Sequence, residues 1–356
     1  MKSCWNRLFA LTLAVCLALA GCAPAQPGPA ESPSPAPSET ASPAPSAAPV
    51  EEEVKLAVLS GPTGVGAAKL LYDNEAGQTG NAYTVTICAD NQQVVAGLTS
   101  GEFDIAALAT NVASTLYNKT DGGIQIAAVN TLGVLYILGP ADSQVDSLAA
   151  LAGETLYATG EGANPEYALK YLLKENGLDP ETGVDVVWQA PEEVTATMLQ
   201  GKGEYCMLPV PAATVLEAKS EGKVKALVSL SEEWDALGNG SQLAMGCVAV
   251  RTEFAQERPE AVKEFLREYA ASIEYMSEPG NLADETEANP AKLVEKYGIV
   301  PSAAIAGKAI PQCNLVCVTG TEMREMIQGY YEVLYTADPA AIGGSIPDDG
   351  FYFLDR

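Results

Sequence analysis

The sequence predicts an α/β fold in two lobes, and three observations carry that reading. From Val54 onward, short β-rich runs alternate with amphipathic helical stretches. The pattern runs once to about Leu138 and repeats from about Thr155. The body that carries it, about Val54 to Arg356, is long enough for two lobes rather than one core.

In the first pass, the strands fall at 54–59, 83–88, 105–109, 124–129 and 134–138, with helices near 66–75, 91–100 and 111–118. The second pass places strands at 155–158, 184–188, 205–208 and 224–228, with helices near 165–176, 191–200 and 211–221. The 165–176 helix takes Asn164 as its N-cap, has Pro165 in its first turn and stops at Gly177. A further strand, 246–250, precedes a long helical tail. Within that tail Val262, Phe265, Leu266, Tyr269, Ile273 and Met276 follow the three-four spacing of a buried stripe. Alternating strands and helices of this kind build parallel or mixed sheets covered by helices.

The N-terminal residues point outside the cytoplasm. Lys2 and Arg7 precede a thirteen-residue apolar run, Leu8 to Ala20, too short for a membrane span of about 20 residues and shaped like a secretory signal. It closes on Leu19-Ala20-Gly21-Cys22, which resembles a bacterial lipobox; the resemblance implies that residues 1–21 are a lipoprotein signal peptide and that Cys22 carries the lipid. From Ala23 to Glu53 the chain is nearly all Pro, Ala, Ser and Glu. Such a segment buries too little apolar surface to offset its ordering entropy, so residues 22–53 are expected to form a disordered tether. Its reach is on the order of 90 Å at ~3.1 Å per residue.

Charge and composition exclude several functions. The formal net charge is −26. Loss of residues 1–21, which hold Lys2 and Arg7 and no acid, takes it to −28. That surface repels phosphate backbones and anionic headgroups, so no nucleic-acid partner is expected and membrane contact comes from the lipid alone. There is no histidine, which removes Ser-His-Asp and Cys-His catalysis and His-ligated zinc. No cofactor and no metal are expected. Cys88, Cys206 and Cys247 sit in apolar runs as small hydrophobes, whereas Cys313 and Cys317 are either a disulfide or two free thiols. Trp188 and Trp234 are assigned to structure.

The turn SGPTGVGAAKLLY, residues 60–72, raises the question of a phosphate cradle. Gly61 and Gly66 have the P-loop separation, but Ala67 and Ala68 follow where Lys and Ser/Thr are required, and the dinucleotide spacing G-x-G-x-x-G is reversed. What remains is a glycine-rich turn before a helix, serving either as a turn with glycines at positive φ or as a set of N–H groups facing a polar ligand.

Several stretches together resemble an ABC importer's extracytoplasmic solute-binding lipoprotein of the nitrate, sulfonate and thiamine-pyrimidine type. They are GPTG, FDIAALATNVAS, IQIAAVNTLGVLYIL, ATGEGANPEYALKYLL, MLPVPAA and LAMGCVAVRTEFAQERPEAVKEFLREY. The resemblance implies a type II periplasmic binding protein fold, with a ligand cleft between two lobes joined by two crossing strands. Lobe one would be 54–135 and 250–356, lobe two 139–246, with crossovers near Tyr136 and Cys247.

On that fold Ser60, Gly61, Thr63 and Gly64 form the lobe-one lip. Asn111 either reaches in with its amide or caps its helix. Asn130 and Thr131 either line the pocket or satisfy local backbone. Thr159, Gly160 and Asn164 form the lobe-two lip, and Glu166 either accepts from a ligand amine or serves the helix dipole. Pro209 and Pro211 stiffen a third loop. Tyr136, Tyr157 and Tyr167 lie near cleft edges.

The resemblance implies capture of a small polar solute by a monomer and delivery to an ABC permease; an enzyme or surface sensor on the same scaffold is the alternative. Histidine-dependent pyrimidine synthases of related fold are excluded by composition. No Arg or Lys lies in the named loops, which favours a neutral or zwitterionic ligand, such as a pyrimidine. If Cys22 is lipidated, Cys22→Ala moves the protein from the membrane fraction to the soluble one with an unchanged circular dichroism spectrum; undiminished membrane association of that variant rules the anchor out.

Overall fold

The computed structural model describes residues 52–354, which belong to one compact unit. The expected signal peptide, Cys22 and nearly all of the expected tether lie outside the described residues. In chain order the strands are β1 (Glu53–Leu59), β2 (Ala82–Cys88), β3 (Ile105–Ala109), β4 (Ile124–Thr131), β5 (Leu135–Pro140), β6 (Thr155–Ala158), β7 (Asp185–Trp188), β8 (Tyr205–Pro209), β9 (Val224–Ser229), β10 (Gly246–Arg251) and β11 (Leu315–Val318). They form a six-stranded sheet, β11-β4-β10-β3-β1-β2, and a five-stranded sheet, β7-β6-β8-β5-β9.

Four strands of each sheet run in one direction, and each sheet carries an antiparallel strand that has just arrived from the other sheet; the edge strand β11 is a second antiparallel strand of the six-stranded sheet. β5 runs antiparallel to β8 and β9, and β10 antiparallel to β3 and β4. The reason is topological. The chain leaves the first sheet at the C-terminal end of β4, crosses in residues 132–134 and enters the second sheet at the C-terminal edge of its parallel strands. It returns through residues 237–245 in the same way. An entering strand must therefore run backwards, and the C-terminal ends of the parallel strands in both sheets face the crossings.

The two residues expected at the crossovers lie within strands. Tyr136 lies inside β5, paired with Leu208 and Ser229 of the second sheet, and Cys247 lies inside β10, paired with Leu108 and Val129 of the first. Residues 135–138 thus pair in the five-stranded sheet and residues 246–249 in the six-stranded sheet. Apolar runs on both sides of each crossing look alike in sequence, and only the pairing divides them.

The apolar residues form two clusters, each containing strands and helices of both lobes. The Pro259–Ser277 helix buries Val262, Phe265, Tyr269, Ile273 and Met276 as its stripe predicts, with Leu266 partly buried. Phe265 and Tyr269 stack at 5.2 Å. This helix receives the glycine-rich turn: Ser272 Oγ donates to the Gly66 carbonyl at 2.6 Å and accepts from Leu70 N at 3.0 Å.

The turn's three glycines do three different things. Gly61 has φ +96° with open space around it. Gly66 lets the chain pack on Ile273, whose Cγ1 would lie 2.7 Å from an added Cβ. Gly64 is in helical conformation within Pro62–Val65, so the positive-φ reading fails for it. A Cβ there would lie 2.0 Å from the Leu59 carbonyl oxygen, which is backbone and cannot move aside.

All five cysteines among the described residues are free, which resolves Cys313 and Cys317 as thiols. Cys88, Cys206 and Cys247 are buried as expected, and Trp234 is fully buried against Tyr171 and Tyr330. Gly64→Ala is expected to cost about 3 kcal/mol or more, against about 1–2 kcal/mol for Gly61→Ala, which meets backbone strain alone. Thermal unfolding of the two variants should rank them in that order.

Candidate functional site

The C-terminal strand ends of the two sheets bring the sequence-predicted residues to the region around the crossings. The second crossing is fixed there by backbone. Met245 N donates to Thr131 O at 3.0 Å, and Met245 O accepts from Thr110 N at 3.2 Å. The first crossing is held by Leu132 N donating to Asn314 O at 3.0 Å and by Asn314 Nδ2 donating to Gly133 O. Gly133 is required because a Cβ would lie 2.0 Å from Ser231 Oγ and 2.9 Å from Leu243 Cδ2.

The predicted polar residues divide by what their hydrogen-bonding atoms already meet. Ser60 Oγ donates to Ile299 O at 3.2 Å, and Gly61 N donates to the same oxygen at 3.1 Å. The turn therefore directs an amide into its own lobe, and the Pro62–Val65 helix that follows has only four residues. Asn130 is fully buried: its Nδ2 donates to Thr63 O at 3.1 Å and Tyr269 Oη at 2.9 Å, and its Oδ1 accepts from Thr131 Oγ1 at 3.2 Å. Burial pushes the Tyr269 hydroxyl well above the ordinary tyrosine range, so it remains protonated. Glu166 Oε2 accepts from Gly162 N at 2.6 Å while Oε1 pairs with Lys170 at 3.0 Å. Gly160, at φ +94°, lies against Pro165, whose Cγ would sit 2.5 Å from an added Cβ.

Asn164 differs from its expected role as N-cap. The helix starts at Asn164 itself, Ala163 is the N-cap, and no side chain caps it. The Asn164 amide instead crosses to the first lobe. Its Nδ2 donates to Thr110 Oγ1 and to Met245 O, both at 2.9 Å, and its Oδ1 accepts from Tyr330 Oη at 3.3 Å.

Three predicted residues retain unbonded polar atoms. Thr63 and Thr159 are largely buried, and their hydroxyls have no hydrogen-bond partner among the described residues. Thr63 Cγ2 would lie 3.0 Å from a Cβ on Gly246, at the point where the chain re-enters the first sheet. Asn111 is 4% exposed and its Oδ1 is buried without a partner. It does not cap its helix, which begins one residue earlier at Thr110 with Ala109 as N-cap. Thr214 Oγ1, in the first turn of the Ala212–Lys219 helix after β8, is also buried and unpartnered.

Sequence reasoning missed Thr110, Thr214, Tyr330 and Tyr331. The two tyrosines lie on a stripe with Met323, Ile327 and Leu334 in the Gly320–Ala337 helix, and that periodicity was readable. Tyr331 Oη donates to Thr110 O at 2.6 Å. Among the noted aromatics, Tyr136 is half-buried, and its hydroxyl is raised by burial first and then by Glu232, Cys313 and Glu217. Tyr157 Oη is 3.5 Å from Lys202 O.

No lysine or arginine among the described residues is buried, whereas Asp104 and Glu268 are, and Asp104 pairs with the partly buried Arg251 at 3.3 Å. No His/Cys/Asp/Glu group among them is arranged to hold a metal, and no helix among them is long and apolar enough to cross a membrane.

Residues 74–293 match the model of a family described as ABC transporter, phosphonate, periplasmic substrate-binding protein. No protein of curated function matches the chain. Among solved structures, the chain is similar to an ABC transporter protein from Parabacteroides distasonis, with 21% identity, a TM-score of 0.69 and coverage of 86% of this chain and 100% of that one. It is similar to the periplasmic aliphatic sulphonate binding protein SsuA from Escherichia coli, at 14% identity, a TM-score of 0.66 and coverage of 86% and 94%. It is also similar to the periplasmic nitrate-binding protein NrtA from Synechocystis, at 16% identity, a TM-score of 0.53 and coverage of 78% and 75%. At these identities the likeness is one of fold, and the fold is that of two-lobed periplasmic binding proteins.

The contrast between Asn130 and Asn111 is testable by stability. Asn130→Ala strips the Thr63 carbonyl of a buried donor and is expected to cost about 1–3 kcal/mol. Asn111→Ala removes an acceptor that has no partner, and its unfolding free energy in urea should stay within about 0.5 kcal/mol of wild type.

Proposed function

We infer the ligand class from the premise that this chain belongs to the family of phosphonate-type periplasmic substrate-binding proteins of ABC transporters, and is therefore the substrate-binding component of an ABC import system. The ligand we propose is a neutral or zwitterionic polar solute, pyrimidine-like or of similar polarity. The observation that carries this reading is the absence of a buried lysine or arginine among the described residues, in a chain of net charge −26. A phosphonate or sulfonate held between two lobes needs compensation for the loss of its hydration, and a buried cation is the usual source.

Thr63, Asn111 and Thr159 are the ligand contacts in this reading, because hydroxyls and amides with unbonded atoms pair with a neutral polar solute. Ser60, Gly61, Gly64, Asn130, Thr131, Gly160 and Glu166 shape the site from behind. The protein acts as a monomer, tethered to the membrane through Cys22, and hands its solute to an ABC permease. It captures without turnover. Among the described residues, burial pushes the cysteine thiols up, to about 12 for Cys206 and Cys313 and about 11 for Cys317, so a thiolate nucleophile is not formed near neutral pH.

Mass spectrometry of solutes that copurify with the protein, followed by a thermal-shift panel, tests the ligand class. Uracil- or cytosine-like compounds and zwitterions are expected to raise the melting temperature, with methylphosphonate, alkanesulfonates and nitrate inert. A phosphonate or sulfonate as the tightest ligand overturns the assignment. Against the best panel compound, Thr63→Ala, Asn111→Ala and Thr159→Ala should each weaken binding by about 3- to 15-fold in calorimetric titration, the loss of roughly one hydrogen bond. Wild-type affinity in all three removes these residues from the site.

A further inference from the structure

We propose that Asn164 is an interlobe latch: a residue that holds the two lobes closed through bonds to protein groups alone. It opens the Asn164–Glu175 helix, which follows β6 of the second sheet, and its amide is 1% exposed. Its three bonds end on parts of the molecule outside its own lobe. Thr110 begins the helix after β3 of the first sheet, Met245 ends the second crossing, and Tyr330 belongs to the Gly320–Ala337 helix, which packs beside the Asn164–Glu175 helix.

The partners are themselves fixed. Thr110 Oγ1 donates to Ala244 O at 2.7 Å while accepting from Asn164, and Thr110 O accepts from Tyr331. Met245 O accepts from Thr110 N and Asn164 Nδ2 together. Rotating the lobes apart strips both Nδ2 bonds and leaves a carbonyl and a hydroxyl short of a partner until water reaches them. Hydrogen bonds tolerate little displacement, so the interaction favours one interlobe angle.

Asparagine suits this role better than its neighbours in chemistry. It supplies two donor hydrogens for Thr110 Oγ1 and Met245 O and an acceptor for Tyr330 at once. Aspartate would suit the first helical turn through the helix dipole, yet it has no hydrogen to give and would set a carboxylate against the Met245 carbonyl. The amide's diversion from local capping is thus what distinguishes a latch from a cap. Closure free energy from the latch adds to whatever the solute contributes, because apparent affinity scales with the closed fraction.

The test needs no ligand, so it stands or falls independently of the ligand class. Spin labels on Lys119→Cys and Glu175→Cys, both exposed and at the far ends of the two helices that meet at Asn164, report the interlobe distance in the full chain carrying Cys22→Ala. Asn164→Ala and Thr110→Val are each expected to shift the open-to-closed ratio by about five-fold or more, as the loss of one to two buried hydrogen bonds requires. Asn164→Asp should shift it as far despite its favourable charge in the first helical turn, and the Asn164→Ala/Thr110→Val double variant no further than the larger single shift. Unchanged distances in Asn164→Asp and Thr110→Val overturn the proposal, as does an additive double variant. If Asn164→Ala does not fold, those two variants decide alone.

Discussion

The carbonyl oxygen of Met245 is the point on which the geometry of the cleft depends. It accepts from Thr110 N of the first lobe and from Asn164 Nδ2 of the second, while Met245 N donates to Thr131 at the end of β4. One residue thereby ties the second crossing to the first and to a helix in each lobe. Its N–H and its C=O belong to successive peptide groups, each of them planar, so the bonds at both orient the two peptide planes on either side of the Met245 Cα and with them the direction in which the chain re-enters the first sheet. β10 then has no choice but to run between β3 and β4, antiparallel to both. Its first residue is Gly246, where a Cβ would meet Asn130 Oδ1 at 2.7 Å.

That placement explains why the polar residues of the strand ends divide into two groups. Buried polar atoms near a crowded crossing must find partners within the protein. Asn130 does so by holding the glycine-rich turn against β4 and Tyr269, and Asn164 by reaching the opposite lobe. Asn111 follows directly after Thr110 in the same first helical turn. Thr110 is bonded on both sides, and the Asn111 Oδ1 beside it has no partner. The two side chains point into different surroundings, and only the second retains capacity for a further hydrogen bond.

Much of this was legible in the sequence. Most strand boundaries predicted from β-rich runs fall within two residues of the observed ones, because central strands such as IAALA are buried on both faces and show as continuous apolar runs. β11 was missed: Leu315–Val318 is four residues long, follows a Pro-containing turn and is only partly buried. The crossings were displaced by a few residues because no local signal marks the point at which an apolar run changes sheets. Helix starts failed at Asn111 and Asn164 for a different reason. Capping is a rule about local partners, and here tertiary positions override it: each helix begins one residue early, and each asparagine amide is directed elsewhere. Similarly, Gly64 was read as a conformational glycine although its requirement is steric, set by the Leu59 carbonyl. Sequence shows that a glycine is present without showing which of its two properties is used.

The apolar clusters extend the same logic to closure. Each contains side chains from both lobes, and the Ala303–Ala309 helix of the first lobe packs against the Ala212–Lys219 helix of the second. Apolar contact across a moving boundary is favourable but nondirectional, so it draws lobes together without choosing an angle. Hydrogen bonds choose the angle, because they fail within a fraction of an ångström of misalignment. The Asn164 bonds to Thr110 and Met245 supply that directional component beside the crossing. A solute that fits the resulting geometry meets groups already positioned, and its binding free energy does not have to order them. A solute of the wrong shape must instead break the bonds that define the angle. On the proposed reading, discrimination between solutes depends on residues that need not touch the solute, in addition to the unbonded atoms of Thr63, Asn111 and Thr159.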